Sequence, residues 1–391
     1  MPLSTEISPA GRDLLGIATR IGEEIAAPHA DEVDADARFP HESIQAMRDA
    51  GLLGAFVPER FGGGGCSITD LSLICTELGK HCGSSAMIFA MHQIQVACIV
   101  DTCQGLPYFD DLLAEIARAG RLVASATTEA GIGGNVRSSI CSVEYDGEKI
   151  SLRKQASVIS YGAYVDDILV TARRDPDAAA SDQVIVHVQR PNLTLDNQID
   201  EWDTLGMRGT CSVGFELYAT GTIEQILPRP YAEVSASTML PVTHITWASL
   251  WLGIAEHSVR KARAVVRAAA RKQPGTLPPS ARHLATLVGQ LDRFRALVAA
   301  CVRDYELARV DPSIGASMAF TIQMNNLKLL ASTDVFAIVH ASLEICGLSA
   351  YRNGTDFSLG RQLRDAKSAS LMVHNDRILD HNASLLCILK D

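Results

Sequence analysis

The sequence predicts an α+β protein with an N-terminal helical domain, a middle antiparallel β-sandwich or barrel and a C-terminal helical bundle. Three observations predict this order. Apolar residues recur every three or four positions up to about residue 119, short β-branched segments follow to about residue 227, and the helical period then returns. The expected boundaries lie near residues 120 and 235, so the expected domains are residues 1–120, 121–235 and 236–391.

Four helices are expected in the first region. The first carries Leu14, Ile17 and Ile21 on one face, and the fourth is expected over about residues 84–99. Capping residues or a first-turn proline mark where the first three begin. These markers are Ser8-Pro9, Pro40 and Ser67.

The middle region is expected to be a sandwich or barrel of about 100 residues. Its clearest strands cover residues 122–127, 168–173 and 184–189. Turn residues such as Asp146-Gly147 and Pro191-Asn192 separate the strand segments.

Long helices are expected in the third region, which suits an antiparallel four-helix bundle. Leu287, Leu291 and Phe294 belong to one apolar stripe over six turns, and Asp311-Pro312 ends that helix. Residues 347–360 are expected to form a loop, and one last helix is expected over about residues 361–389.

Composition excludes several classes of protein. The chain has 391 residues, of which 47% are hydrophobic, and a net charge of −10, so neither a disordered protein nor a nucleic-acid binder is expected. The ten cysteines form no CxxC pair, and therefore no metal site or disulfide framework is expected. No leader is visible in the first 20 residues and no apolar stretch reaches the ~20 residues of a membrane span, so a cytoplasmic protein is expected.

Five short strings, in order along the chain, resemble the acyl-CoA dehydrogenase superfamily. The second of them, residues 127–134, resembles the flavin loop of that family, usually TEPGAGSD. The five strings are residues 50–65, 127–134, 206–212, 271–275 and 364–367. The resemblance implies the same three-part fold, a dimer or dimer of dimers, and FAD bound between the β domain and the bundle.

The resemblance implies a flavin-binding role for several residues. Thr128 matches a threonine that contacts the flavin, and Ser160 matches a hydroxyl near flavin N5. Val158 stands where relatives have an aromatic residue against the ring. Glycines without side chains would let the loop backbone approach the cofactor. They are Gly131, Gly133 and Gly134, and the family often has serine at the last position.

Two further cofactor contacts are implied outside the loop. Arg260, Arg263, Arg267 and Arg271 share one helix face, and repulsion between them would be relieved by a bound polyanion. The family places the arginine corresponding to Arg271 on the FAD pyrophosphate of the neighbouring subunit. Gly347 matches the first glycine of a loop that contacts the adenosine end.

The catalytic carboxylate of the family is missing. Relatives remove the substrate α-proton with a glutamate, and Val373 stands at its position. A minority of the family takes the base from the first bundle helix, near Thr243 and His244, where there is no carboxylate either. His374 and Asp376 are the nearest alternatives, and imidazole titrates near neutral pH.

Three functions therefore stay open. The first and favoured one is α,β-dehydrogenation of an acyl thioester, of coenzyme A or of an acyl-carrier protein, with His374 or Asp376 as a displaced base. The second is a flavin-dependent monooxygenase that uses His92, Ser160 and His374 near the flavin. The third is a catalytically silent flavin-binding partner. A homodimer or homotetramer is expected in each case.

Overall fold

The N-terminal region consists of helices in the computed structural model, which describes residues 7–389. Ser8 accepts the Gly11 N–H at the start of α1, and Ser67 forms a reciprocal capping box with Asp70 at the start of α4. The predicted N-termini are thus confirmed, and the fourth predicted helix is longer than expected. The helices are α1 Pro9–Ile21, α2 Ala27–Ala35, α3 His41–Asp49, α4 Ile68–Gly79, α5 Gly83–Cys103 and α6 Pro107–Ala119.

Two sheets form the middle region. One has the strand order β1-β4-β5 and the other the order β2-β3-β7-β6. The strands are β1 Val123–Ala126, β2 Glu144–Asp146, β3 Lys149–Ala156, β4 Asp167–Arg173, β5 Gln183–Gln189, β6 Leu193–Asp196 and β7 Phe215–Thr222. The prediction of a wholly antiparallel region is wrong for one pair, because β1 runs parallel to β4 with Val123 opposite Asp167. The chain between these strands passes through the other sheet, which provides the long connection that parallel strands need.

Three long helices dominate the C-terminal region. They are α8 Leu240–Lys272, α9 Ala281–Val310 and α11 Met318–Cys346. The short helices are α7 Tyr231–Val234, α10 Pro312–Gly315, α12 Leu348–Tyr351, α13 Gly360–Ser368 and α14 Asn375–Leu386. The N-terminal region packs closely on the bundle, since a Cβ at Gly79 would lie 2.3 Å from the Leu250 carbonyl oxygen of α8. These features confirm the predicted fold class.

The expected domain boundaries stay a prediction. Gly120 lies between α6 and β1. Residue 235 begins a π-helical segment, Ser235–Met239, that joins α7 directly to α8.

The predicted last helix is interrupted. It ends at Ser368, and a turn over residues 369–374 separates it from α14. Val373 has a φ of +49°, which a β-branched residue rarely adopts and which cannot continue a helix. This turn is the segment in which the family carries its base.

The expectation that no apolar stretch reaches the length of a membrane span is wrong. By length and composition, α5 and α11 could each span a bilayer. The side chains of α5 are almost all buried in the protein core, and α11 packs against α8, α9 and α13.

Candidate functional site

Thr128 joins the glycine loop (residues 127–134) to the segment after β3. Its hydroxyl donates to the Val158 carbonyl oxygen at 3.0 Å and accepts the Val158 N–H at 3.2 Å. The Val158 side chain is exposed. Two of the predicted flavin contacts, Thr128 and Val158, are therefore neighbours in space.

A chain of hydroxyls lies behind Ser160. Ser212 donates to the Ser160 oxygen at 2.9 Å, and Thr210 lies 2.8 Å from Ser212 while it donates to the Met207 carbonyl oxygen. Thr210 and Ser212 are buried, whereas Ser160 is partly exposed. Because Ser160 accepts from Ser212, its own hydroxyl hydrogen remains available to a ligand.

The sequence did not assign a role to the two buried hydroxyls. Both belong to the string at residues 206–212, where Thr210 and Ser212 are two positions apart. The signal in the sequence was the presence of two hydroxyl residues, two positions apart, beside a predicted strand.

A buried carboxylate fixes the base of the glycine loop. Glu129 accepts the Ser139 hydroxyl at 2.7 Å and the Ile140 and Cys141 N–H groups at 3.0 and 2.8 Å. The Lys154 amine lies 3.6 Å from this carboxylate and donates to a backbone carbonyl of β4 at 2.7 Å. Burial lowers the pKa of Lys154, and the nearby Glu129 charge opposes that shift.

Three glycines shape the loop itself. Gly131, Gly133 and Gly134 have φ values of +88°, +58° and +74°, which favour residues without a side chain. Between the hydrogen-bonded N–H groups of Ala130 and Asn135, the four N–H groups of residues 131–134 have no acceptor in the described part of the chain. Successive free N–H groups in such a loop form a site for an anion.

Helix α14 lies against this loop. The Arg377 guanidinium donates to the Gly133 carbonyl oxygen at 2.5 Å and also to that of Gly134. A second contact joins Arg137 to His381 of α14 at 3.0 Å. Neither contact was predicted from the sequence.

His374 is the first residue before α14 and lies at the surface. Its side chain is 53% exposed, and its Nδ1 atom lies 3.7 Å from an Asp376 carboxylate oxygen. Val373, which stands at the family position of the base, is exposed beside it. An apolar side chain therefore occupies the position at which relatives carry the carboxylate. The structure brings His374 to the same helix end that contacts the glycine loop.

The structure contradicts the catalytic role predicted for His92. This ring is fully buried, its Nε2 atom donates to the Leu53 carbonyl oxygen at 2.8 Å, and its Nδ1 atom accepts the Val123 N–H at 3.0 Å. Burial lowers the pKa of His92 to about 4, so the ring is neutral near pH 7. With both nitrogens bound to backbone, His92 links α5 to the rest of the core and has no atom left for a flavin or a substrate.

The second family position for a base is also without a carboxylate. Thr243 donates to the Met239 carbonyl oxygen within its own helix at 2.6 Å. His244 is buried, and its Nδ1 atom lies 2.9 Å from the Met324 carbonyl oxygen.

Two motif strings meet beneath the hydroxyl chain. Asp365 is buried and accepts the Met207 N–H at 2.7 Å, and a Cβ at Gly206 would lie 2.3 Å from the Arg364 backbone. Met207 has a φ of +54°, so this carboxylate holds a left-handed backbone in place. Burial raises the pKa of Asp365 to about 6.

No hydrogen bond joins Arg271 or Gly347 to the glycine loop within residues 7–389. Arg271 is exposed near the end of α8, like the other three arginines of its helix face. Gly347 ends α11 with a φ of +64°. Their roles toward the cofactor stay predictions.

The comparisons with known proteins agree with this architecture. Residues 11–103 match the family model described as acyl-CoA dehydrogenase, N-terminal domain, and residues 234–373 match acyl-CoA dehydrogenase, C-terminal domain. A curated relative is cyclohex-1-ene-1-carbonyl-CoA dehydrogenase of Syntrophus aciditrophicus. It is 25% identical over 95% of this chain and 88% of its own length.

Two solved structures share the fold. The nitrososynthase of Micromonospora carbonacea var. africana has a TM-score of 0.84 and 22% identity, and the match covers 98% of both chains. FMN-bound TdsC of Paenibacillus sp. A11-2, a dibenzothiophene monooxygenase, has a TM-score of 0.83 and 19% identity, over 96% of this chain and 97% of its own.

Proposed function

Because this chain belongs to the acyl-CoA dehydrogenase superfamily of FAD-dependent flavoprotein oxidoreductases, we propose that it oxidises an acyl thioester to the α,β-unsaturated product. The acyl carrier is coenzyme A or an acyl-carrier protein. One observation supports this function above the others. The helix end that bears His374 is bound through Arg377 to the glycine loop, the segment that we propose binds the flavin.

The residues of this chain fit a flavin. The free N–H groups of residues 131–134 suit its pyrophosphate, and the free hydroxyl hydrogen of Ser160 suits a ring nitrogen. Thr128, Val158, Gly131, Gly133 and Gly134 would line the same site. When bound, FAD accepts the hydride that leaves the β-carbon of the substrate. Arg271 and Gly347 would serve the pyrophosphate and adenosine end of a cofactor shared between subunits.

His374 would take the α-proton. Its Nδ1 atom faces Asp376, which leaves Nε2 as the proton acceptor. The Asp376 carboxylate would then stabilise the imidazolium that forms, as a carboxylate beside a catalytic histidine does elsewhere.

A monooxygenase is the second candidate. It is favoured by the absence of a carboxylate side chain at residues 373 and 243, since an oxygenase needs no α-proton base. The likeness to TdsC shows only the shared fold.

Anaerobic mixing with a series of acyl-CoA and acyl-carrier thioesters tests the proposal. A dehydrogenase loses the visible absorbance of its oxidised flavin on mixing, without oxygen. No bleaching with any thioester, together with oxygen consumption when reduced flavin is supplied, would replace the proposal by the monooxygenase. Tightly bound oxidised flavin with neither activity would indicate the silent partner.

A homodimer or homotetramer in the cytoplasm is part of the proposal. Large apolar side chains of the bundle are exposed, among them Leu330 of α11 and Leu379 and Leu386 of α14. Exposed apolar side chains on neighbouring helices support the proposal of self-association. Light scattering of the purified protein measures the subunit number.

A further inference from the structure

The contact between Arg377 and the glycine loop constrains the loop as well as the helix end that bears His374. The two nitrogens at the end of the guanidinium each reach one carbonyl oxygen, those of Gly133 and Gly134. A planar fork can do this, whereas a lysine ammonium is a single point charge. The contact therefore fixes the orientation of two consecutive peptide groups.

Gly134 leaves the space that Arg377 occupies. A Cβ at this position would lie 2.3 Å from one guanidinium nitrogen, so the end of the Arg377 side chain would have to move away and give up its carbonyl contacts. Relatives often carry serine here, as the sequence resemblance indicates. The lost side chain and the arginine of α14 are thus alternatives for the same volume.

The guanidinium of Arg377 forms no ion pair in the described part of the chain. No carboxylate of residues 7–389 lies within 4 Å of its guanidinium. Three of its five N–H groups remain after the two carbonyl contacts. The loop therefore has four free backbone N–H groups and lies beside a cation without a carboxylate partner, two features that each suit an anion such as a pyrophosphate.

These observations concern cofactor binding and hold for a dehydrogenase, a monooxygenase or a silent binder alike. We propose that Arg377 is a positioning residue for FAD, which holds the glycine loop in its cofactor-binding form in place of a side chain at position 134. Helix α14 thereby couples the turn that carries His374 to the retention of the flavin.

A double-mutant cycle tests the pairing of the two positions. The variants are Arg377→Ala, Gly134→Ser and both together, and the measurement is the FAD dissociation constant of the flavin-free protein by fluorescence titration. Arg377→Ala weakens FAD binding about 10-fold or more, the size expected for lost bonds from a charged donor. Gly134→Ser displaces the guanidinium from its two carbonyl contacts, so it weakens binding about 10-fold more in the wild-type background than in the Arg377→Ala background, where only the backbone strain at position 134 remains.

Two outcomes would overturn the proposal. One is FAD binding by Arg377→Ala within twofold of wild type, and the other is an equal loss from Gly134→Ser in both backgrounds. Arg20→Ala, on an exposed face of α1, is the matched control and leaves FAD binding unchanged.

The melting temperature separates positioning from general stability. Arg377→Ala leaves that of the flavin-free protein unchanged and lowers that of the FAD-loaded protein. An equal fall in both would also overturn the proposal. Arg377→Lys keeps the positive charge but not the planar guanidinium, and it shows a smaller loss of FAD affinity. It replaces Arg377→Ala in these measurements if the alanine variant does not fold.

Discussion

The glycine loop is held from two sides by contacts of opposite character. Beneath it, Glu129 and Lys154 are buried, and Glu129 accepts three hydrogen bonds from the neighbouring segment. Outside it, Arg377 reaches the loop from an exposed position, with the exposed pair of His374 and Asp376 at the same helix end.

The buried contacts beneath the loop are expected to serve protein stability, and the exposed contacts outside it are expected to serve function. A buried charge without its partner is costly, so the lower contacts are expected to carry much of the local stability. Exposed ion pairs contribute little to stability, but their side chains can reach a ligand. Substitutions beneath the loop should therefore lower the unfolding free energy, and substitutions outside it should lower activity or cofactor binding.

The largest expected effect is that of Lys154→Met. It leaves the Glu129 charge buried without its cation and the β4 carbonyl without its donor, which should cost about 3–5 kcal/mol of unfolding free energy. Urea titration followed by circular dichroism measures it. Lys149→Met, at an exposed position of the same strand, is the control and should change stability by less than about 0.5 kcal/mol.

The double variant Glu129→Gln with Lys154→Met sharpens this result. Removing both charges should cost less than the sum of the two single substitutions. Additive losses would show that the two side chains do not act as a pair.

Asp365 should produce the next largest effect, as a dependence of stability on pH. Its pKa is raised from 3.8 to about 6 by burial, so the native protein binds more protons than the unfolded chain between these values. The contribution of Asp365 to stability should therefore fall by about 3 kcal/mol as the pH rises from about 4 to about 6, opposite in sign to the contribution of the buried His92, whose pKa is lowered to about 4. Asp365→Asn keeps an acceptor for the Met207 N–H and should remove that fall.

Unfolding free energies measured across this pH range test the prediction. Asp380→Asn, an exposed carboxylate of α14, is the control and should keep the wild-type slope. An unchanged slope in Asp365→Asn would assign the pH dependence to other groups.

His374→Ala should affect activity and not stability. Loss of a general base lowers turnover by about 10²-fold, and the ring is too exposed to contribute to the core. Turnover of the best thioester and the melting temperature are measured together. His340→Ala is the matched control, since His340 is equally exposed and lies 3.5 Å from Glu344 on the next turn of its helix.

Unchanged turnover in His374→Ala would remove this residue from the mechanism. A clear fall in melting temperature that accompanies the loss of turnover would give His374 a structural role. Either result would weaken the division between the two sides of the loop.

The sequence predicted the helices by their caps and periodicity, but it could not predict the turn at residues 369–374. No glycine or proline stands there to end a helix. The break is stabilised by distant partners, because Lys328 donates to Asn375 at 2.6 Å and Arg377 binds the glycine loop. Tertiary contacts of this kind leave no local signal.

Only part of the candidate site could be predicted, because tertiary contacts also decide which of its residues meet. Thr128, Val158 and Ser160 do lie together, because their strings belong to adjacent backbone segments. His92 failed as a catalytic residue because its two partners, Leu53 and Val123, are more than 30 residues away in either direction. The absence of a side chain at Gly134 was visible in the sequence, but not that Arg377 takes its place.

The smallest expected effect is that of Ser212→Ala, which lies between the two sides. The buried Ser212 hydroxyl holds the Ser160 oxygen, so its loss should cost about 1 kcal/mol of stability and let the Ser160 hydroxyl turn away from a ligand. Turnover should fall about fivefold, since about 1 kcal/mol of transition-state orientation is lost. Ser249→Ala is the matched control, because Ser249 is a buried hydroxyl 2.7 Å from that of Ser72. It should lose similar stability and keep full turnover, whereas equal losses of turnover in both variants would mean that the hydroxyl chain behind Ser160 only packs the core.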